Sequence, residues 1–474
     1  MRAEGARPRR LPVLLVLVLG ALALAPRTPA GLEPLPVSRA AAPADPVRLQ
    51  LSREDLEALW VGPFRAAWRL APPARPYLLM APALGLALTR ALEAPLLPVI
   101  APLEKLRGLR FAHPVPWDVK QPEEVRAFMA EVLERDYPEE RSDFDQLLLT
   151  RLGLAPAGFD LRPFLLDLMA EQVQGAYDPK VGTFFMVPQS RNWLNRLLDS
   201  GGPSQDELVT LHELDHALQD QHFDLEALQE VLAEPRNTDR EMGLQALVEG
   251  DATLVMFQHL VVARGGRPEE VGSVAWMTGM VGGMPGMGEF GRAPLYFQRA
   301  LIFPYYSGMD LVLRQYHQGG WSAVDRMYAD PPASTEQVLH PEKYGLEPPR
   351  EVRVPLPEAW HGWKSVGEDT GGEFLLRVLL EHHGLPGAEE AATGWGGDRL
   401  RLYRRGTGTM LVWATAWDSP EDAAEFEEAA SEALCLARGP WRLWRSGDRV
   451  ALAQALPPEL EAEARRALLG EASR

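Results

Sequence analysis

Two histidines four residues apart, inside a run built to be a helix, constrain this chain more than any other feature. Ser204-x-x-Glu207 has the form of a capping box, which starts a helix by satisfying orphan backbone N–H groups. Leu208, Leu211, Leu214, Leu218, Leu225 and Leu228 then recur at helical spacing, and Glu234-Pro235 ends the run. His212-Glu213-Leu214-Asp215-His216 falls inside it. His216 lies about 40° around the helix from His212 and one turn along, so both rings can converge on one ion. Glu213 lies about 60° beyond His216, within reach of a proton on a water held by that ion. Zinc is the expected ion, because imidazole suits it and an open fourth position lets it bind water. That binding lowers the pKa of the water towards about 7, so an ordinary carboxylate suffices as the base.

Three protein ligands are required, and two residues compete for the third place. His222 stands ten residues after His212, the spacing of the third histidine in metzincins. That arrangement needs a helix break at a glycine, and Gln219 occupies the position. On an unbroken helix His222 points about 120° away from His216. The other candidate is Glu249, in Leu247-Val248-Glu249-Gly250-Asp251-Ala252. Carboxylates in the middle of an apolar helix are costly without a partner, and a metal is the obvious one. Glu249 is therefore the expected ligand, with Gly250 clearing space for a close helix–helix approach. Asp251 and Asp220 are either hydrogen-bond partners of the imidazoles or solvated carboxylates.

Composition narrows the setting. With 474 residues, 46% hydrophobic and 24% charged, the chain is too large for one core and too apolar to be disordered. Cys435 is the only cysteine, so no internal disulfide forms. A net charge of −18 without any Lys/Arg run argues against nucleic-acid binding. Arg2, Arg7, Arg9 and Arg10 precede the uncharged stretch Leu11–Ala25, with small residues around Ala30. This order reads as a secretory signal peptide over 1–30, too short for a membrane span. Its removal takes five Arg and one Glu and moves the net charge from −18 to −22. The expected setting is secreted or periplasmic, with no span in the mature chain and an uncleaved N-terminal anchor as the rival reading.

Residues 31–100, rich in Ala, Leu and Pro, read as an N-terminal helical segment, either a removable inhibitory piece or helices covering the catalytic domain. A strand-like piece (109–117), a helix over 123–133 and a helix from Pro163 to Gly175 come next. Ala176–Val187, around Asp178-Pro179-Lys180-Val181-Gly182, reads as a hairpin. A second long helix starts at Thr238-x-x-Glu241 and runs to Gly265-Gly266, and the Met/Gly-rich stretch 272–288 reads as a loop. After the Pro-rich stretch 347–357 a last domain alternates a helix (372–383), a strand pair (400–403 and 410–417) and a helix (421–436). The fold class is α+β, mainly helical. Residues 101–350 are expected to carry the metal, and 351–474 to form a C-terminal α+β domain with a largely structural set of tryptophans.

With His212-Glu213-x-x-His216 and a downstream Glu249-Gly250-x-Ala252, the chain resembles the gluzincin zinc metallopeptidases, in particular an uncharacterised bacterial secreted branch carrying the string His212–Phe223. The resemblance extends to Gly175–Val187, Gly319-Gly320-Trp321 and Ser334–Pro341, over roughly residues 101–350. It implies a zincin fold, a small sheet over the helix that carries the two histidines, whose edge strand, supplied by the hairpin, holds an extended peptide. It also implies a zinc-dependent peptidase acting on a peptide or protein substrate, with His212, His216 and Glu249 on the metal and Glu213 as base. A His or Tyr donor to the oxyanion is expected downstream. His340 is the preferred candidate, beside Tyr344, Tyr328, Tyr305 and Tyr306. Thr253 stands where the thermolysin-type pattern has an aspartate four residues after the glutamate. The alternative is a non-catalytic extracytoplasmic protein whose metal only ties two helices, which would call for a closed fourth position from His222 or Asp251.

Overall fold

The computed structural model describes residues 96–173, 175–187, 202–232, 236–273, 288–437 and 439–470. The expected signal peptide, the segment from 31 to 95 and most of the Met/Gly-rich stretch lie outside the described residues. From Pro98 onward the described residues belong to one compact unit.

The described residues open with α1 (Leu97–Arg107), β1 (Trp117–Val119), α2 (Pro122–Asp136), α3 (Glu139–Leu152) and α4 (Leu161–Gln172). The hairpin comes next as β2 (Gly175–Asp178) and β3 (Thr183–Met186), turning through Gly182 at φ 60°. These strands form a three-stranded sheet in the order β1-β3-β2, with β1 parallel and β2 antiparallel to β3. Side-chain alternation divides its faces. Phe185 packs with Val125, Met129 and Val173 beneath α2, its ring edge-on to Phe128 at 4.3 Å. The strand expected over 109–117 is reduced to the pairing that begins at Trp117.

Then come α5 (Gln205–Phe223), α6 (Leu225–Leu232) and α7 (Thr238–Ala263). Ser204 caps α5 as its sequence implies, its side chain accepting from Glu207 N. One continuous helix to residue 234 is not what forms. Asp224 takes the left-handed conformation (φ 54°), and its side chain then caps α6 by accepting from Ala227 N. An Asp tolerates this conformation and offers a local cap, which outweighs the continuing leucine repeat. The cap of α7 is Asn237, accepting from Arg240 N, one residue before the Thr expected to start it.

The helix α7 is the central strut. It is long and apolar enough to cross a membrane, yet 78% of its apolar window is buried inside the protein, and it carries Glu249 and Asp251. It packs on α9, which comes after the short α8 (Gly288–Arg292) and spans Leu295–Gly319. At the crossing, a Cβ on Gly250 would stand 2.3 Å from the Gly308 carbonyl carbon, and one on Gly308 would stand 2.1 Å from Ala246 O. The space that Gly250 clears is filled by backbone-on-backbone contact. Two short helices, α10 (Trp321–Met327) and α11 (Thr335–Leu339), close this half.

The C-terminal half is built of β4 (Ala359–Trp360), β5 (Trp363–Asp369), α12 (Gly372–His382), α13 (Ala388–Ala392), β6 (Trp395–Arg405), β7 (Gly408–Trp417), α14 (Pro420–Leu436), β8 (Trp441–Ser446), β9 (Arg449–Gln454) and α15 (Glu461–Leu469). Its six strands form an antiparallel sheet, ordered β4-β5-β6-β7-β9-β8. Trp360, Trp395, Trp413 and Trp417 are fully buried, and Trp417 stacks on Phe426 of α14 at 4.4 Å. The protein is thus α+β with two sheets, one in each half.

Candidate metal centre

The HExxH helix α5 lies against both the small sheet and α7, and the three expected ligands meet at that junction. His212 Nε2 stands 3.1 Å from Glu249 Oε2, His216 Nε2 stands 3.3 Å from the same oxygen, and the two ring nitrogens are 3.0 Å apart. All three residues are buried. These separations form a test of fit. Ligand atoms about 2.0–2.1 Å from a tetrahedral zinc lie about 3.3 Å from one another. The observed edges match that triangle. Glu249 Oε1 has no partner among the described residues, so the carboxylate is not committed elsewhere.

The electrostatics favour a cation there. Burial drags His212 down to about 4 and opposes ionisation of Glu249, yet His216 and the bonds from both rings hold Glu249 at about 2. Burial also pulls His216 down, but Glu249 outweighs it and lifts the ring to about 9. The three donors together demand one positive charge among them.

Glu213 approaches from beneath the sheet. A Cβ on Gly175 would sit 3.1 Å from Val209 and 3.3 Å from the Glu213 side chain, so β2 lies directly on α5. Tyr177 N donates to Glu213 Oε2 at 2.8 Å, while Glu213 Oε1 is buried without a hydrogen-bond partner among the described residues. Burial pushes the Glu213 carboxyl up to about 8. One oxygen is fixed and the other is available. Among the described residues β2 pairs only with β3 and is a sheet edge, as expected for the hairpin.

Gln219, notable in the sequence only for not being a glycine, proves central. Its Nε2 donates to Asp215 Oδ2 (2.8 Å) and Val248 O (3.1 Å), which leaves its Oε1 facing His216 Nδ1 at 3.0 Å. The only readable signal is its place three residues after His216 on the same helix face.

The other candidates are placed elsewhere. His222 is exposed and its Nε2 lies 2.8 Å from Arg110 O, so it takes no part in the cluster. Asp251 is fully buried in a bidentate pair with Arg107 (2.9 and 3.0 Å) and accepts from Tyr328 OH at 2.8 Å. Asp220 accepts from Tyr177 OH at 2.7 Å and caps Leu225 N. Both are structural anchors and neither is a partner of the imidazoles. His340 is not brought to the cluster: its Nε2 lies 2.9 Å from Glu373 Oε1 at the start of α12. Gly372 there packs on Asp239, ten residues and about 15 Å along α7 from Glu249. A buried carboxylate draws the histidine away from the expected role. Tyr344 OH donates to Asp330 O. Tyr305 is the tyrosine of the group whose ring lies beside His212, at 6.0 Å between centroids.

Residues 359–463 match the family described as Domain of unknown function (DUF8575), a stretch that takes in the second sheet and α12 to α14 but not the metal cluster. No curated protein and no solved structure matches the chain.

Proposed function

We propose that the protein is a zinc-dependent peptidase of the zincin type, working outside the cytoplasm. The observation that carries this is the ligand triangle of His212, His216 and Glu249 with the free oxygen of Glu213 beside it. Among the described residues no fourth Asp, Glu, His or Cys joins the group. A purely structural site would need that position closed, and the residues best placed to close it, His222 and Asp251, are engaged elsewhere.

A zinc ion held by these three residues would polarise a peptide carbonyl and make a water nucleophilic at neutral pH. The protein's own groups do the rest. Gln219 holds His216 with its Nε2 lone pair turned inward. Glu213, steadied through Oε2 by Tyr177 N, uses Oε1 to take a proton from the attacking water and pass it to the leaving amine. The edge of β2 offers main-chain groups to an extended substrate. Tyr305 replaces His340 as the candidate donor to the developing oxyanion, on the strength of its place beside His212.

The test is Glu213→Gln, with zinc content and hydrolysis of a quenched peptide library both measured. The expected result is one zinc per chain with hydrolysis reduced about 10²–10⁴-fold. Wild-type rates in the zinc-loaded variant would end this reading.

A further inference from the structure

A cavity of about 340 Å³ lies between α2, α3, α4, α7 and α9, closed at one end by the start of α12. Stripes on three of its walls lead toward the metal cluster, whose own residues His212, His216 and Glu249 do not line it. On α7 the lining residues Met242 and Gln245 precede Glu249 by seven and four positions, which places all three on one face. On α9 the stripe Phe297, Leu301, Tyr305 ends at the ring beside His212. On α4 the stripe Leu161, Leu165, Met169 ends six residues before Gly175, where β2 begins to cover Glu213. Last lining residue and nearest ligand on α7 are about 6 Å apart along the axis.

The lining says what fits. Its charged groups are already paired: Arg141 with Glu241 at 2.6 Å and with Asp145, which also accepts from Tyr137 OH at 2.6 Å, Asp136 with Arg135 and Lys180, and Asp369 with Arg236. The remainder is mostly Leu, Met and Phe, so a charged ligand would lose its hydration without compensation. The volume is more than twice that of an engineered cavity of about 150 Å³ that holds a benzene ring. Gln229 is 6% exposed, lines the cavity, and its Oε1 has no hydrogen-bond partner among the described residues. A buried acceptor of this kind favours a ligand that brings a donor.

We infer that this cavity receives a large aromatic side chain with a hydrogen-bond donor, tryptophan or tyrosine, from a peptide bound at the metal centre. The inference rests on the peptidase reading for the peptide, and on the cavity alone for the side chain. Gln229 Oε1 accepts from the indole N–H or phenol O–H, and the α7 and α9 stripes enclose the ring.

The probes are blocked pentapeptides Gly-Gly-Xaa-Gly-Gly, with Xaa as Trp, Tyr, Phe or Gly, titrated by calorimetry into zinc-loaded Glu213→Gln protein. Trp and Tyr are expected to bind at least tenfold more tightly than Gly. Ala300→Trp, which fills the cavity from α9, should abolish that difference. Gln229→Leu should bring Trp and Tyr to the level of Phe while leaving Phe unchanged. Equal or undetectable binding of all four peptides, or discrimination that survives Ala300→Trp, overturns the inference. Hydrolysis by the wild-type protein is scored separately. Selective binding without any hydrolysis would sink the peptidase reading and leave the cavity assignment standing, and hydrolysis without selectivity would do the reverse.

Discussion

Gln219 Oε1 faces His216 Nδ1 at 3.0 Å, and the direction of that hydrogen bond is fixed by what lies on the other side of the amide. Nε2 of Gln219 is taken by two acceptors, Asp215 Oδ2 and Val248 O, so only the oxygen is left for the ring. His216 therefore carries a proton on Nδ1, and Nε2 is the nitrogen left for a metal, which would displace the second proton that Glu249 draws onto the ring. The bond to Val248 O, one residue before Glu249, ties α5 to α7 at the level of the His212, His216 and Glu249 cluster. Gln219→Leu is expected to lower zinc affinity about 10–100-fold, measured by competition with a chromophoric chelator. Unchanged affinity would show that the amide merely packs.

The crossing of α7 and α9 makes a second prediction, about stability. Gly308 has no room for a methyl group, because its Cβ would meet Ala246 O at 2.1 Å, and backbone cannot step aside as a side chain can. Gly308→Ala should destabilise the protein by about 1–3 kcal/mol or more, as overpacking does. Glu249 adjoins Gly250 in that crossing, so the same change should weaken zinc binding. Thermal unfolding with and without zinc reads both effects.

His340 and Glu213 mark the limits of what the sequence could disclose. The spacing of His212, Glu213 and His216 and the candidate ligand Glu249 were legible because a single helix period and one costly carboxylate fix them locally. The hairpin and the Gly250 contact were legible for similar reasons, through turn chemistry and a missing side chain. What escaped depended on distant partners. Nothing near Gln219 in sequence announces that Val248 O will stand opposite it, and nothing near His340 announces Glu373. The break at Asp224 was hidden because the leucine repeat carries on through it, in a second helix. Arg107 escaped altogether: its partners Asp251 and Asp325 lie 144 and 218 residues away.

The seat of His340 leads to a third prediction. Its ring is bonded to Glu373, which is fully buried, and that contact raises the ring above its ordinary value. His340→Gln should leave kcat/KM for peptide hydrolysis within about twofold and lower the melting temperature, since it removes a partner from a buried carboxylate. A large fall in kcat at an unchanged melting temperature would restore the catalytic role expected from sequence.

Behind the ligands, Arg107 is fully buried with its guanidinium 4.4 Å from the ring centroid of Trp321, and it pairs with both Asp251 and Asp325 (2.7 Å). Asp215 lies close enough to feel the same charge. Removing the arginine strands Asp215 and Asp251, two buried carboxylates that flank His216 and Glu249 in sequence. Arg107→Met should cost about 3–5 kcal/mol in stability, read by denaturant unfolding, and Asp251→Asn in the same chain should recover part of it. A neutral effect of Arg107→Met would mean that the carboxylates take protons instead.

Asp239, near the start of α7, makes stability depend on pH. Its Oδ1 accepts from Thr335 N at 2.8 Å and from the Thr335 hydroxyl, while Oδ2 is buried without a hydrogen-bond partner among the described residues, and the charges of Asp398 and Glu336 add to the cost of ionising it. Burial pushes its carboxyl up to about 8, so the folded protein holds a proton that the unfolded chain releases near the ordinary value of 3.8. Below that lower value both states are protonated and Asp239 has no effect. As pH rises towards 8 the unfolded chain gains by ionising, and stability falls across that window. Asp239→Asn keeps an oxygen for Thr335 and cannot ionise, so the fall should be absent. The variant should melt above the wild type at pH 7.5, and the gap should narrow steadily as the pH falls and close below 3.8. Parallel melting curves for the two proteins across that range would show that Asp239 is ionised in the fold.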